Sequence, residues 1–142
     1  MKEINVKWQK KMLFQVQQDG HHFFIDASKD VGGEDKGCRP KALLLSGLAG
    51  CTGMDVVSIL RKMKITNFDL NIRVTADSTD EHPKIYKDIV INYEFTGDDL
   101  PWEKLEKAVN LSETRYCGVS AMLRKAAKIN SIITVNGRTK ND

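Results

Sequence analysis

Cysteine is scarce in this chain: Cys38, Cys51 and Cys117 are the whole supply. An odd handful excludes the disulfide framework of a small secreted domain. No pair of them forms a CxxC motif. His21-His22 falls on a predicted strand without a partner histidine near it, so spacing offers no metal site. A block of one charge is also missing. Lys and Arg number 22 against 19 Asp and Glu, interspersed, for a net charge of +3; a nucleic-acid partner is not expected. The start MKEINVKWQKKM lacks the apolar core of a leader, which makes the cytoplasm the expected location. In that reducing setting an isolated cysteine is either a packing residue or chemistry. Repeats, low-complexity tracts and linkers are absent. A length of 142 residues suits one domain, 1–142, in which 137–142 is a polar tail expected to fray.

One long apolar run does stand out. Residues 39–60, RPKALLLSGLAGCTGMDVVSIL, are apolar on every side apart from Arg39, Lys41, Asp55 and a few small polar residues. Such a pattern predicts a helix buried all round. It is too short, and too interrupted by Gly, Ser, Thr and Asp, to predict a membrane span. Pro40 suits the first helical turn, where its missing N–H would be unpaired anyway.

Around this run the periodicity alternates with period two. Residues 4–8, 12–16 and 22–26 predict three antiparallel strands, with Asp19-Gly20 a hairpin turn. Residues 28–37 are polar and glycine-bearing, a surface loop. Residues 68–76 and 85–95 predict a long hairpin, with Ile85, Ile89, Ile91, Tyr93 and Phe95 on one parity and Lys87 breaking it. Gly97–Pro101 opens a helix carrying Trp102, Leu105, Ala108, Val109 and Leu111 at helical spacing. Tyr116-Cys117-Gly118 interrupts it, Ser120 fits an N-cap for 121–128, and 130–136 reads as a last strand. The order is three strands, helix, two strands, two helices, strand: an α+β fold with sheets covering buried helices.

Three glycines, Gly47, Gly50 and Gly53, share one stripe of the apolar helix. Each costs about 1 kcal/mol relative to Ala. Close approach of another backbone, from the second helical region or from a second copy of the helix, would account for them; tolerated drift is the plainer explanation. Cys51 and Asp55 are one turn apart on the same face. A carboxylate in an apolar helix is costly unless paired. Asp55 is therefore either a structural residue satisfied by backbone or a cation, or one that orients a cation or accepts a proton beside the thiol. Cys51 lies too deep in the helix for help from its first-turn amides; a thiolate there needs a cation, for which Arg39, Lys10, Lys11 and Arg115 are the candidates. Cys117, between two helical segments, is a packing residue if taken alone. Cys51 and Cys117 together form a candidate thiol pair. Cys38 reads as a loop cysteine.

RPKALLLSGLAGCTGMDVVSIL followed by LSETRYCGVSAML resembles the OsmC/Ohr superfamily, in its less characterised OsmC-like branch. That resemblance implies an intertwined homodimer with long central helices and antiparallel sheets wrapped outside, and active sites at the subunit interface. It implies that Cys51 attacks a hydroperoxide and that Cys117 resolves the sulfenic acid as a disulfide. An external dithiol, lipoyl-type in the studied peroxidases, then reduces the pair, with no metal or flavin cofactor.

This chain departs from the peroxidase pattern in two places. Lys41 stands where those proteins carry a glutamate, and no arginine precedes Arg39 to stabilise the thiolate. Asp55 has no role that the resemblance supplies. Besides the peroxidase, two other readings follow: the same dimer as a non-catalytic binder of a small apolar ligand, or a thiol redox sensor or hydrolase acting through Cys51. A hydrolase would want a histidine base, and His21, His22 and His82 fall on predicted strand or turn surfaces.

Overall fold

In the computed structural model, which describes residues 1–142, the Asp19-Gly20 turn is formed with both residues at positive φ, 53° and 79°. Those are the angles a two-residue hairpin of right-handed twist needs. The turn joins β2 (Leu13–Gln18) to β3 (His21–Ile25), and β1 (Asn5–Lys10) pairs with β2 on its other edge. All pairings are antiparallel, with Val6 opposite Val16 and Val16 opposite Phe23. This meander and the loop after it form one compact unit, residues 1–44. The loop is pinned by Asp26, whose carboxylate accepts the amides of Ala27, Glu34 and Lys36 at 2.7, 3.2 and 3.1 Å.

The second unit, 45–142, holds the core. Strand β5 (Tyr86–Thr96) is its centre. It pairs antiparallel with β4 (Asp69–Ser78) and parallel with β6 (Lys128–Val135). A parallel neighbour requires a crossover. Here it is made by α2 (Trp102–Leu111), a π-helical segment (Ser112–Tyr116) and α3 (Gly118–Leu123). The predicted parity of β5 is observed: Ile89, Ile91, Tyr93 and Phe95 are all within 1% of full burial. Leu105, Ala108 and Val109 of α2 join them, and Phe68 meets Phe95 edge-on at 5.8 Å. Each large side chain so buried contributes about 1.5–3 kcal/mol of transfer free energy.

Helix α1 runs Leu43–Lys62. Pro40 and Lys41 sit in a turn before it, their carbonyls accepting the amides of Leu43 and Leu44. The expectation of burial on every side is not met within the chain. One i, i+4 stripe, Leu48, Thr52, Val56 and Leu60, is buried, whereas Met54 is 78% exposed. Hydropathy records which surface is apolar, not what covers it. The glycine stripe divides in the same way. A Cβ at Gly53 would meet Ile72 Cδ1 at 2.8 Å, but Gly47 and Gly50 face open space, so no helix of this chain lies against them. Two boundaries also differ. Ser120 is inside α3, whose N-cap is Cys117, and β6 starts at Lys128. Residues 137–142 turn back, with Lys140 reaching Glu106 at 2.7 Å.

Candidate active site

Helix periodicity sets Cys51 and Asp55 one above the other on α1. The π-helical segment then brings in the second thiol. Its wide turn closes through Cys117 N–H to Ser112 O at 2.7 Å and sets Cys117 at the start of α3. The two sulfurs and a carboxylate oxygen of Asp55 lie within 4.8 Å of one another. All three residues singled out in the sequence therefore meet at one point, although the thiols come from elements far apart along the chain. This is the one such trio of His, Cys, Asp or Glu in the molecule. The two thiols are in hydrogen-bond contact.

The cysteines are not equivalent. Cys117 is 3% exposed and Cys51 is half-buried. Burial, and next the hydrogen bond to Cys51, push the Cys117 thiol up from 9.0 to about 11, against the pull of the Ser120 and Val119 amides. At neutral pH Cys117 therefore keeps its proton and offers it to the Cys51 sulfur. Of the candidate cations, Arg39 is paired with Asp35 at 2.8 Å and Lys10 with Glu34 at 3.7 Å. Arg115 lies over the Tyr116 ring, and Lys11 adds to the positive field at Glu34.

Behind Asp55 runs a line of hydroxyls that the sequence did not reveal. Ser112 Oγ donates to Asp55 Oδ2 at 2.9 Å. Thr52 Oγ1 lies 2.7 Å from Ser112 Oγ and 2.8 Å from the Tyr93 hydroxyl. Tyr93 in turn donates to Glu113 Oε1 at 3.0 Å. The same oxygen accepts from Ser131 Oγ, and Arg124 Nη2 is 3.9 Å from Glu113 Oε2. Ser112, Thr52 and Tyr93 are fully buried. Burial foremost, helped by the Glu113 charge, pushes the Tyr93 phenol far above its ordinary value. One signal was available: Tyr93 is the polar ring on the buried parity of β5. Its partners, Thr52 and Glu113, are contributed by α1 and the π-helical segment, which no local pattern predicts.

Asp55 also faces outward. With Ser58, Ile59, Lys62, Leu111 and Tyr116 it lines a cleft of about 380 Å³. A second depression, about 560 Å³ and mostly apolar, lies along Gly50, Gly53, Met54, Leu70 and Ile72 and contains no thiol. Cys38 is exposed in the first unit, on the loop beside β3. His21 and His22 lie in β3, and His82 lies in the turn before Tyr86.

Known proteins resemble this chain in sequence and in fold. Protein YhfA of Escherichia coli K12 is 32% identical over 128 residues, 89% of this chain and 92% of that one. A hypothetical protein from Aquifex aeolicus VF5 superposes with a TM-score of 0.81 at 30% identity, over 96% of this chain and 98% of the other. The organic hydroperoxide resistance protein OhrB of Bacillus subtilis shares the fold, with a TM-score of 0.64 at 17% identity over 94% and 98% of the two chains. The model of the OsmC-like protein family matches residues 33–131, a span that holds both thiols, Asp55 and the hydroxyl line, and the chain belongs to that family.

Proposed function

We propose that this protein is a thiol-dependent peroxidase that reduces hydroperoxides, organic ones included, in defence against oxidative stress in the cytoplasm. The observation that carries the reading is the meeting of Cys51 and Cys117, one half-exposed and one buried with its proton retained. The half-exposed Cys51 sulfur attacks the peroxide O–O bond, forming a sulfenic acid and releasing an alcohol. The Cys117 sulfur then displaces hydroxide from that sulfenic acid, which leaves as water with the Cys117 proton, and a disulfide remains. Each step balances without a metal or flavin, and an external dithiol, lipoyl-type by family resemblance, returns the pair to thiols. Family membership and the organic hydroperoxide resistance proteins among the structural relatives support the reading.

Treatment with cumene hydroperoxide should yield an intramolecular Cys51–Cys117 disulfide, visible by mass spectrometry as the loss of two hydrogens. Two thiols left unreacted by a large molar surplus of that peroxide would rule the mechanism out. The functional unit is a homodimer, supported by the large apolar surface that α1 leaves uncovered, Met54 foremost. A second reading, a dimer that binds a small apolar ligand without catalysis, is favoured by the thiol-free apolar depression along Gly50 and Met54. In that case Cys51→Ser would leave ligand binding unchanged and the wild type would show no turnover.

A further inference from the structure

The line Asp55–Ser112–Thr52–Tyr93–Glu113 contains four oxygen–oxygen contacts, at 2.9, 2.7, 2.8 and 3.0 Å. Every one is at hydrogen-bond distance, and each hydrogen bond needs one proton. The three hydroxyls supply three. With both carboxylates ionised, Ser112 donates to Asp55 and Tyr93 to Glu113, and the single Thr52 proton must serve two contacts. One buried contact would then set lone pair against lone pair. One added proton closes the count, and it can close it in two ways. Placed on Asp55, it turns every hydroxyl toward Glu113; placed on Glu113, it turns every hydroxyl toward Asp55.

We infer that the two carboxyls share one proton through Thr52, and that the line is a proton wire between the thiol pair and the surface. Its thiol end, Asp55, lies within 4.8 Å of both sulfurs. Its outer end, Glu113, has a side chain 11% exposed and touches the exposed Ser131. The ionisable groups around it are Cys51 and Cys117 beside Asp55, Lys62 and Tyr116 across the cleft, and Arg124 beside Glu113.

The catalytic use of the wire rests on the peroxidase reading; the proton count does not. The cycle starts with the shared proton on Asp55 and Glu113 ionised. That proton passes along the hydroxyls to Glu113, which frees Asp55 to take the Cys51 proton as the thiol ionises. The Cys51 sulfur–oxygen bond forms as the peroxide O–O bond breaks. The departing alkoxide takes the Asp55 proton and leaves as alcohol. The proton on Glu113 then returns along the hydroxyls to Asp55. Asp55 would thus be a general acid–base, and Thr52, Ser112 and Tyr93 positioning residues that carry its proton.

Infrared difference spectroscopy of the reduced protein at neutral pH tests the count without any substrate. A protonated-carboxyl C=O band should be present in the wild type and in Thr52→Ser, which keeps the hydroxyl. It should vanish in Asp55→Asn and in Glu113→Gln, where an amide N–H fills the empty place. It should vanish also in Thr52→Val, which leaves two hydroxyls for two contacts. Oxidation of Cys51 should slow roughly 10–100-fold in Thr52→Val and recover in Thr52→Ser. A wild type lacking the band, or a band lost in one carboxyl variant alone, would overturn the shared proton. A band pattern as described in a protein that ignores hydroperoxides would keep the wire and discard the peroxidase.

Discussion

The sulfur of Cys117 accepts the amide of Ser120 at 3.3 Å, so a buried cysteine serves as the N-cap of α3. A cap of this kind favours the thiolate, and the burial of the same sulfur opposes it. Burial wins, and the proton stays on.

This outcome sets an alkaline signature. The folded Cys117 thiol ionises near 11 rather than 9.0. Between those values the unfolded chain has lost a proton that the native state still holds, so stability falls as pH rises through the window. Thermal melts of the reduced protein should show this decline beginning near pH 9, and Cys117→Ser should flatten part of it. Tyr93, also held protonated by burial, supplies a further part above its ordinary value of 10.0.

Loss of the Tyr93 hydroxyl should cost stability with little change in packing. Tyr93→Phe keeps the buried ring but leaves Thr52 and Glu113 each short of a partner. Urea unfolding should register a loss of about 1–3 kcal/mol, as for other buried groups stripped of a bond. A variant as stable as the wild type would mean that the line contributes nothing to the fold.

In the first unit, Asp26 and Gly33 hold the loop after β3. Three backbone amides, that of Lys36 foremost, keep the Asp26 carboxyl below its ordinary 3.8. Its contribution is present above that value and is lost as pH falls through the lower folded one. Asp26→Asn should therefore lower the melting temperature at pH 7 and narrow the gap to wild type in strong acid. A Cβ at Gly33 would stand 1.9 Å from Ala27 O, so Gly33→Ala should cost about 2–4 kcal/mol in the same melts.

The uncovered face of α1 supplies a further expectation. Met54→Lys adds charge to a side chain that is 78% exposed in the single chain. Buried in the proposed homodimer, that charge would be costly, so sedimentation should find the association weakened at least tenfold relative to the wild type. An unaltered dimer would move the interface elsewhere.

Much of the fold was legible because it is written in periodicity. The parity of β5 and the Asp19-Gly20 turn follow from rules that act over a few residues. The burial of α1 was not legible, because hydropathy marks Met54 and Val56 alike while only Val56 belongs to the core. Nor was the Cys117 cap, since cysteine lies outside the usual capping residues. Cys51, Asp55 and Cys117 could be picked out as chemistry; Thr52, Ser112 and Glu113 could not, because their role exists only once distant segments have met.

Ser131, which holds the outer carboxylate Glu113, arrives on β6, paired parallel with β5 through Ile91. The two ends of the hydroxyl line therefore answer to different parts of the fold: a change in β6 reaches Glu113 through Ser131, whereas Cys51, Asp55 and Cys117 are held by α1 and the start of α3.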